Sequence, residues 1–388
     1  MAAPGTRFVD DNTGEMTMTR LAFRRRRTLA TAAVVAALGV GQVFVGNANV
    51  DASGRRPATL PSMVFVAAPP PGATGPDDIT HLATPGVDGD RALIWTAYQN
   101  GINPDGTPGT PGGPTQSTVA GYDPFSGRLV ETIAVTGKVD GLTAYPSRDH
   151  LIATVNEDDN SAVNLIDAAT RTVAAYHYSP DPAVAGVGGT DSIAIWNGRI
   201  VVAHSNPSDT EQATEYAVSL ESSTHTAVLR PLFRDDSRAF DVRTHGPVTL
   251  ALTDPDTNGV MPQLTPRFGG QLATVSQGDG EIVFTEADGH AHQRLTVLRL
   301  TDNVPGNVPP LDGLAMVTAS HGTLYVVDAK AGTIMKLDTS GWPLGTVFVG
   351  EPSDNGNPLV GALDLHTGTI TPLTNAFISP KGLLFVPA

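Results

Sequence analysis

The feature that most constrains this chain is a short pattern that returns at distant places. Asp123-Pro-Phe-Ser126-Gly127-Arg-Leu129, Asp167-Ala-Ala-Thr170-Arg-Thr-Val173 and Asp364-Leu-His-Thr367-Gly368-Thr-Ile370 share one spacing, and Glu221-Ser-Ser-Thr224-His-Thr-Ala227 is a looser copy. In each, an apolar strand-like run precedes the acid and another follows the turn. An Asp carboxylate and a Ser or Thr hydroxyl can hydrogen-bond nearby backbone amides and so fix a chain reversal. A second pattern opens other strand pairs: Val139-Asp140-Gly141-Leu142 leads to residues 151–155, Leu311-Asp312-Gly313-Leu314 leads to 324–327, and Asp191-Ser-Ile193 leads to 200–203. The two patterns alternate, giving four strands per unit at roughly 40 to 50 residues, the period of propeller blades. The expected fold class is all-β, a β-propeller of four-stranded blades, with seven blades favoured and six also compatible with the spacing. Units are expected to start near Ile79, Val139, Asp191, Arg238, Gly270 and Gly313. A last unit, residues 359–370, would be completed by 382–386 and 63–66, a mixing of chain ends that protects the edges of an open ring.

Composition supports this reading. With 41 Gly and 31 Pro in 388 residues, turns must be frequent, and helix bundles or coiled coils are excluded. The absence of Cys excludes disulfides, thiol catalysis and Cys-ligated metals. Arg24, Arg25, Arg26 and Arg27 precede an Ala/Val/Gly-rich run over 28–46, the order of a signal peptide, with small residues before a cut after Ala48 and a second candidate cut at Ala52. An uncleaved N-terminal membrane anchor is the alternative reading. The expected domains are therefore 1–48, a signal peptide with an N-terminal extension; 49–76, a Pro/Gly/Ala-rich linker holding one strand at 63–66; and 77–388, the propeller. Export to the extracellular space or cell envelope follows.

The whole chain has 24 Lys and Arg against 39 Asp and Glu; removing residues 1–48 takes away six Arg and three acids and leaves a formal charge of −18. Such a field repels nucleic acid and favours cations or cationic ligands. Membrane contact is expected only through the N-terminal segment.

Several segments also carry a resemblance. Gly141-Leu-Thr-Ala-Tyr-Pro, Ile152-Ala-Thr-Val-Asn-Glu-Asp, Leu252-Thr-Asp-Pro-Asp-Thr-Asn and the ending Gly368-Thr-Ile-Thr-Pro with Pro380-Lys-Gly-Leu-Leu-Phe-Val resemble uncharacterised secreted β-propeller proteins of actinobacteria. More loosely the chain is similar to the NHL, YncE-like and SMP-30/gluconolactonase propellers. The first resemblance implies fold and export but no activity. The second implies metal-dependent hydrolysis, although that group's metal-binding Glu, Asn and Asp have no matching local motifs here.

In a four-stranded blade the inner strand starts on the face where the second strand ends, so residues at those points gather at one mouth of the central channel. Asp78, Asp140, Asp191 and Asp312 precede inner strands; Asn100, Asn156, Glu157, Asn206, Asp254 and Asp328 follow second strands. Such oxygens could hold Ca²⁺, which takes 6 to 8 oxygen ligands in general; the alternative is that they are turn formers repeated with the fold. Asp254-Pro-Asp256-Thr-Asn258-Gly259 matches the first half of a calcium loop, with an Asx-turn hairpin connection as the alternative. His290 and His292 have the spacing of a metal pair or of a polar hairpin loop. The Pro/Gly-rich insertion at 99–116 is expected over the same mouth, as a lid or a tolerated insertion. Trp95, Trp196 and Trp342 read as packing between blades. No nucleophile elbow, His-Glu-x-x-His, phosphate-binding loop or dinucleotide fingerprint occurs. Two functions remain: a ligand-binding or interaction module at the cell envelope, taking a small molecule or envelope component, and a metal-dependent hydrolase of lactones or esters.

Overall fold

The computed structural model describes residues 62–83, 88–89, 91–145, 149–183, 188–207, 212–287, 293–302, 304–339, 341–353 and 357–388. The signal or anchor segment, residues 49–61 of the linker and the His290/His292 pair lie outside the described residues. The elements with described bounds are strands. The first is β1 (Met63–Ala67). Then come β2 (Pro76–Ala83), β3 (Ala92–Tyr98), β4 (Gln116–Tyr122) and β5 (Leu129–Thr136); β6 (Val139–Tyr145), β7 (His150–Val155), β8 (Ala162–Asp167) and β9 (Thr172–Ser179); and β10 (Thr190–Trp196), β11 (Arg199–His204), β12 (Ala213–Glu221) and β13 (Thr226–Arg234). The second half contains β14 (Arg238–Asp241), β15 (Gly246–Thr249), β16 (Pro255–Val260), β17 (Leu272–Ser276), β18 (Glu281–Thr285) and β19 (Leu295–Arg299). It ends with β20 (Leu314–Met316), β21 (Gly322–Asp328), β22 (Thr333–Asp338), β23 (Val347–Glu351), β24 (Leu359–Leu363), β25 (Ile370–Thr374) and β26 (Pro380–Pro387).

The strands pair in antiparallel four-stranded units, β2-β3-β4-β5, β6-β7-β8-β9, β10-β11-β12-β13, β16-β17-β18-β19, β20-β23-β24-β25 and β26-β21-β22-β1, and a parallel pairing of β9 with β13 joins the second and third units into one eight-stranded sheet. The inner strands β2, β6, β10, β16, β20 and β26 each pack on the next, and β26 packs back on β2, so the ring closes. Burial shows the same order. One apolar cluster joins Trp95 and Val119 of the first unit to Leu142 and Leu151 of the second. Another joins Tyr98 and Tyr122 of the first to Tyr325 and Ile334 of the last. Sheets packed face to face around a ring bury both faces of most strands, which is why these strands read as continuous apolar runs. Trp95 and Trp196 lie in such inter-unit clusters and Trp342 packs edge-on to Phe348, as expected of packing residues.

The turn repeat occupies the predicted place. Asp123 Oδ1 accepts the amides of Phe125 and Ser126 at 3.1 and 2.7 Å, Asp167 Oδ1 those of Ala169 and Thr170 at 2.9 and 3.1 Å, and Asp364 Oδ1 that of His366 at 2.7 Å. All three turns join a third strand to a fourth. The residue four past the acid has positive φ in each, Gly127 at 69°, Arg171 at 60° and Gly368 at 75°.

Three sequence-based details change. Neither Arg238 nor Gly270 opens a blade: β14 and β15 form a hairpin laid parallel to β19 on the outer edge of the fourth unit, and Gly270 precedes β17, the second strand of that unit. Residues 359–370 are completed by β20 and β23, whereas the chain ends β26 and β1 complete the hairpin β21–β22. The segment 255–260 is the inner strand β16, neither a calcium loop nor a hairpin connection, because its backbone is committed to the ladder with β17, with Asn258 opposite Thr274.

Candidate functional site: an acidic channel mouth

Aligning the starts of the six inner strands shows one recurrent position. Pro76-Asp77, Val139-Asp140, Thr190-Asp191, Pro255-Asp256, Leu311-Asp312 and Pro380-Lys381 place five aspartates and one lysine around the channel mouth. The pairing of β2, β6, β10 and β16 with their neighbours slips at this place, between Pro76 and Ile79, Val139 and Gly141, Thr190 and Ile193, and Pro255 and Thr257. A bulge interrupts the strict alternation of side chains and re-aims them. It lets an acid at the strand start face the ring while the next residues turn into the inter-unit core.

Two of the chain's four lysines serve this ring. Lys381 Nζ lies 3.1 Å from Asp77 Oδ1 and 2.6 Å from Asp312 Oδ2, linking the last, first and fifth units. Lys138 Nζ pairs with Asp140 Oδ1 and, at 2.6 Å, with Glu157 Oε1. The Gln99 amide joins the two pairs by donating to Asp77 Oδ2 at 2.7 Å and to Asp140 Oδ1 at 3.4 Å. Burial raises the pKa of both buried acids, Asp140 and Asp312, above the ordinary Asp value, against the lowering effect of these lysines. Asp140 Oδ2 is buried without a hydrogen-bond partner.

On the other side of the ring the same lysines act only at longer range, Lys138 on Asp191 and Lys381 on Asp254 and Asp256. Among the described residues, no Lys or Arg pairs with Asp191, Asp254 or Asp256. Asp256 Oδ2 accepts from the Gln277 amide at 2.6 Å. Burial, helped by the neighbouring Asp256 and Glu157 charges, pushes Asp191 well up against the lowering effect of Lys138. Burial raises Asp256 to about 7, and burial with the Glu157 charge raises Asp254 to about 6. Protons therefore substitute for cations on this side near neutral pH.

Several expected ligands have structural tasks instead. Asp78 is not the ring residue; its Oδ2 accepts the Leu142 amide at 2.8 Å, clasping β2 to β6. Asn156 Oδ1 accepts the Lys138 amide at 2.9 Å. Asn258 donates to the fully buried Glu215 at 3.4 Å. Asn100 fixes its own loop by accepting from Thr74 N and donating to Gln116 O, and Asp328 accepts the amides of Ile378 and Ser379. The insertion at 99–116 is built on local bonds such as Thr107 N to Asp105 Oδ1 at 2.9 Å, and rests on the second unit's mouth turn through Asp158 N to Pro104 O at 3.1 Å. Among the described residues, no group of three His, Asp or Glu has metal-ligating spacing. Asp77, Lys138, Lys381, Gln99 and Gln277 were not singled out from sequence. Lysine scarcity was the available signal, since Lys138 and Lys381 both stand at inner-strand starts.

Fold and mouth together define an all-β propeller whose channel is rimmed by aspartates. No family model matches the chain, and no curated protein matches it. Among solved structures, a streptogramin B lyase aligns at 13% identity over 83% of this chain and 91% of its own, with a TM-score of 0.42. The periplasmic gluconolactonase of Pseudomonas aeruginosa aligns at 13% identity over 80% of this chain and 88% of its own, with a TM-score of 0.43.

Proposed function

We propose that this protein is an exported binding module that takes a small cationic ligand at the acidic mouth, on the side formed by Asp191, Asp254 and Asp256. The observation that carries the reading is the unequal provision of counterions. Lys138 and Lys381 each stand between two carboxylates, while these three acids make no direct ion pair among the described residues and meet the two lysines only at longer range. A primary ammonium reproduces what the lysines do elsewhere in the ring; Ca²⁺ is the inorganic candidate, and Asp191, Asp254 and Asp256 would hold it. Export rests on the Arg24–Arg27 block and the apolar run after it. Mass analysis of the protein recovered from culture medium, starting near Val50 rather than Met1, supports that part; intact chain retained in the cytoplasm refutes it.

The binding test uses purified residues 49–388 in calorimetry and thermal unfolding with CaCl₂ and with simple alkylamines. A ligand at 100 times its dissociation constant adds about 2.7 kcal/mol of stability when only the folded state binds it. Binding must expel protons from Asp254 and Asp256, so affinity should rise between pH 6 and pH 7. The double change Asp191→Asn with Asp256→Asn should remove it. No response to any cation leaves these acids as turn formers and solubilising charge.

A second reading, hydrolysis of a lactone or ester, is favoured by one observation. Asp256 at about 7 and Asp254 at about 6 are partly protonated near neutrality, the condition for general acid–base work. Its metal-dependent form lacks a preformed ligand set among the described residues. Turnover of a lactone and ester panel, lost in Asp256→Asn, supports hydrolysis; its survival under chelation selects the metal-free form.

A further inference from the structure

Apart from the ring, a cavity of about 350 Å³ lies in the fourth unit between the β14–β15 hairpin, the turn joining β17 to β18, the end of β19 and the connection that follows it. Its polar lining is Arg243, Arg299, Asp279, Glu281 and Asn307, and Leu250 and Val308 add an apolar wall. The charged groups are only partly used inside the protein. Arg299 Nε lies 3.5 Å from Asp241 Oδ2 and 3.6 Å from Glu281 Oε2, and the side chain is about half exposed at the cavity. The exposed Arg243 guanidinium has no acceptor among the described residues. Asp279 Oδ2 is anchored by Thr253 N at 2.9 Å and Ser276 Oγ at 2.5 Å, which leaves Oδ1 free to accept. Asn307 Nδ2 donates to Asp302 at 2.7 Å and Glu351 at 3.1 Å, which leaves its amide oxygen.

A simple anion in this cavity would gain from the guanidiniums and be opposed by the carboxylates; a simple cation would meet the reverse. A molecule carrying both charges satisfies both sets, and charge-assisted bonds to a carboxylate are strongest from the planar arginine fork. The volume is at the small end of ligand sites, roughly 300–1,000 Å³. We infer that this cavity binds a small zwitterion, a free α-amino acid with an apolar side chain, its carboxylate on Arg243 and Arg299, its ammonium on Asp279 and Glu281, and its side chain on Leu250 and Val308.

Calorimetry of residues 49–388 with L-leucine tests this, alongside 4-methylpentanoate, which lacks the ammonium, isoamylamine, which lacks the carboxylate, and glucose as a neutral polyol. The expected result is leucine binding, with each singly charged analogue weaker by about tenfold or more and glucose silent. Arg243→Ala, a change at an exposed side chain, should weaken leucine by about tenfold without altering the unfolding temperature, and Glu281→Gln should weaken it at pH 8. The Asp191→Asn, Asp256→Asn double variant should bind leucine like the parent, which separates this cavity from the channel mouth. No leucine binding, equal binding of an analogue, a glucose response in place of leucine, or an Arg243→Ala variant that binds normally overturns the inference.

Discussion

Replacing Lys381 by Met keeps the aliphatic stem and removes the ammonium that ties three units at the ring closure. In the parent that ammonium lies 2.6 Å from Asp312 and 3.1 Å from Asp77. At an effective dielectric of about 20, each attraction is worth about 5 to 6 kcal/mol. Desolvation of the lysine, which the variant avoids, opposes it; deleting one member of a buried pair typically costs about 3–5 kcal/mol because the remaining acids are left uncompensated. The cost should depend on pH in a defined direction. Burial and then Asp256 already hold the Asp312 pKa above its ordinary value, and Lys381 is the lowering influence, so the variant raises it further. An acid with a raised folded pKa keeps its proton in the folded state, so its stabilising effect is complete below its unfolded pKa, about 4, and is lost as pH rises through the folded value. Lys381→Met should therefore lose little at pH 5 and about 3–5 kcal/mol at pH 8 in urea unfolding. Adding Asp312→Asn should restore much of the loss at pH 8. A deficit below about 1 kcal/mol at pH 8, or one equal at both pH values, refutes the clasp.

Three further outcomes are expected. His245 is exposed with φ 53° four residues after Asp241, where Gly127 and Gly368 stand in two equivalent turns, so His245→Gly should raise stability by about 0.5–1 kcal/mol in urea unfolding. Gly127 has φ 69° and a Cβ there would stand 1.8 Å from Val66 O, so Gly127→Ala should cost about 2–4 kcal/mol and, by loosening β1, hasten proteolysis near residue 63. Burial raises the pKa of Glu215 to about 8 against the hydrogen bonds from Thr274 and Asn258, so parent stability should fall as pH rises from about 5 to 8. Glu215→Gln should flatten that fall and exceed the parent by on the order of 2–4 kcal/mol at pH 8 in the same assay.

The turns that join third to fourth strands were readable because their bonds are local: Asp123 and Asp167 hold amides two and three residues away. Asp140, Asp191 and Asp312 were readable as mouth residues for a similar reason, since each stands at the start of an apolar strand. Asp77 was passed over for Asp78 because two adjacent acids face opposite ways and only the slipped pairing of β2 with β3 decides which one meets the ring. Asp241 and its hairpin were misread as a blade start because β14 has the same local pattern as an inner strand but pairs with the outer strand β19.

By itself, then, the sequence determined the strand class, the turn chemistry and an acidic mouth, all properties of neighbouring residues. Tertiary structure decided the grouping into four-stranded units, the exchange that gives β21 and β22 to the chain ends, and the placement of Lys381 between Asp77 and Asp312. Those choices depend on which apolar faces pack together around a closed ring. They also depend on the desolvation of groups as distant in the chain as residues 77 and 381, and no local pattern encodes that.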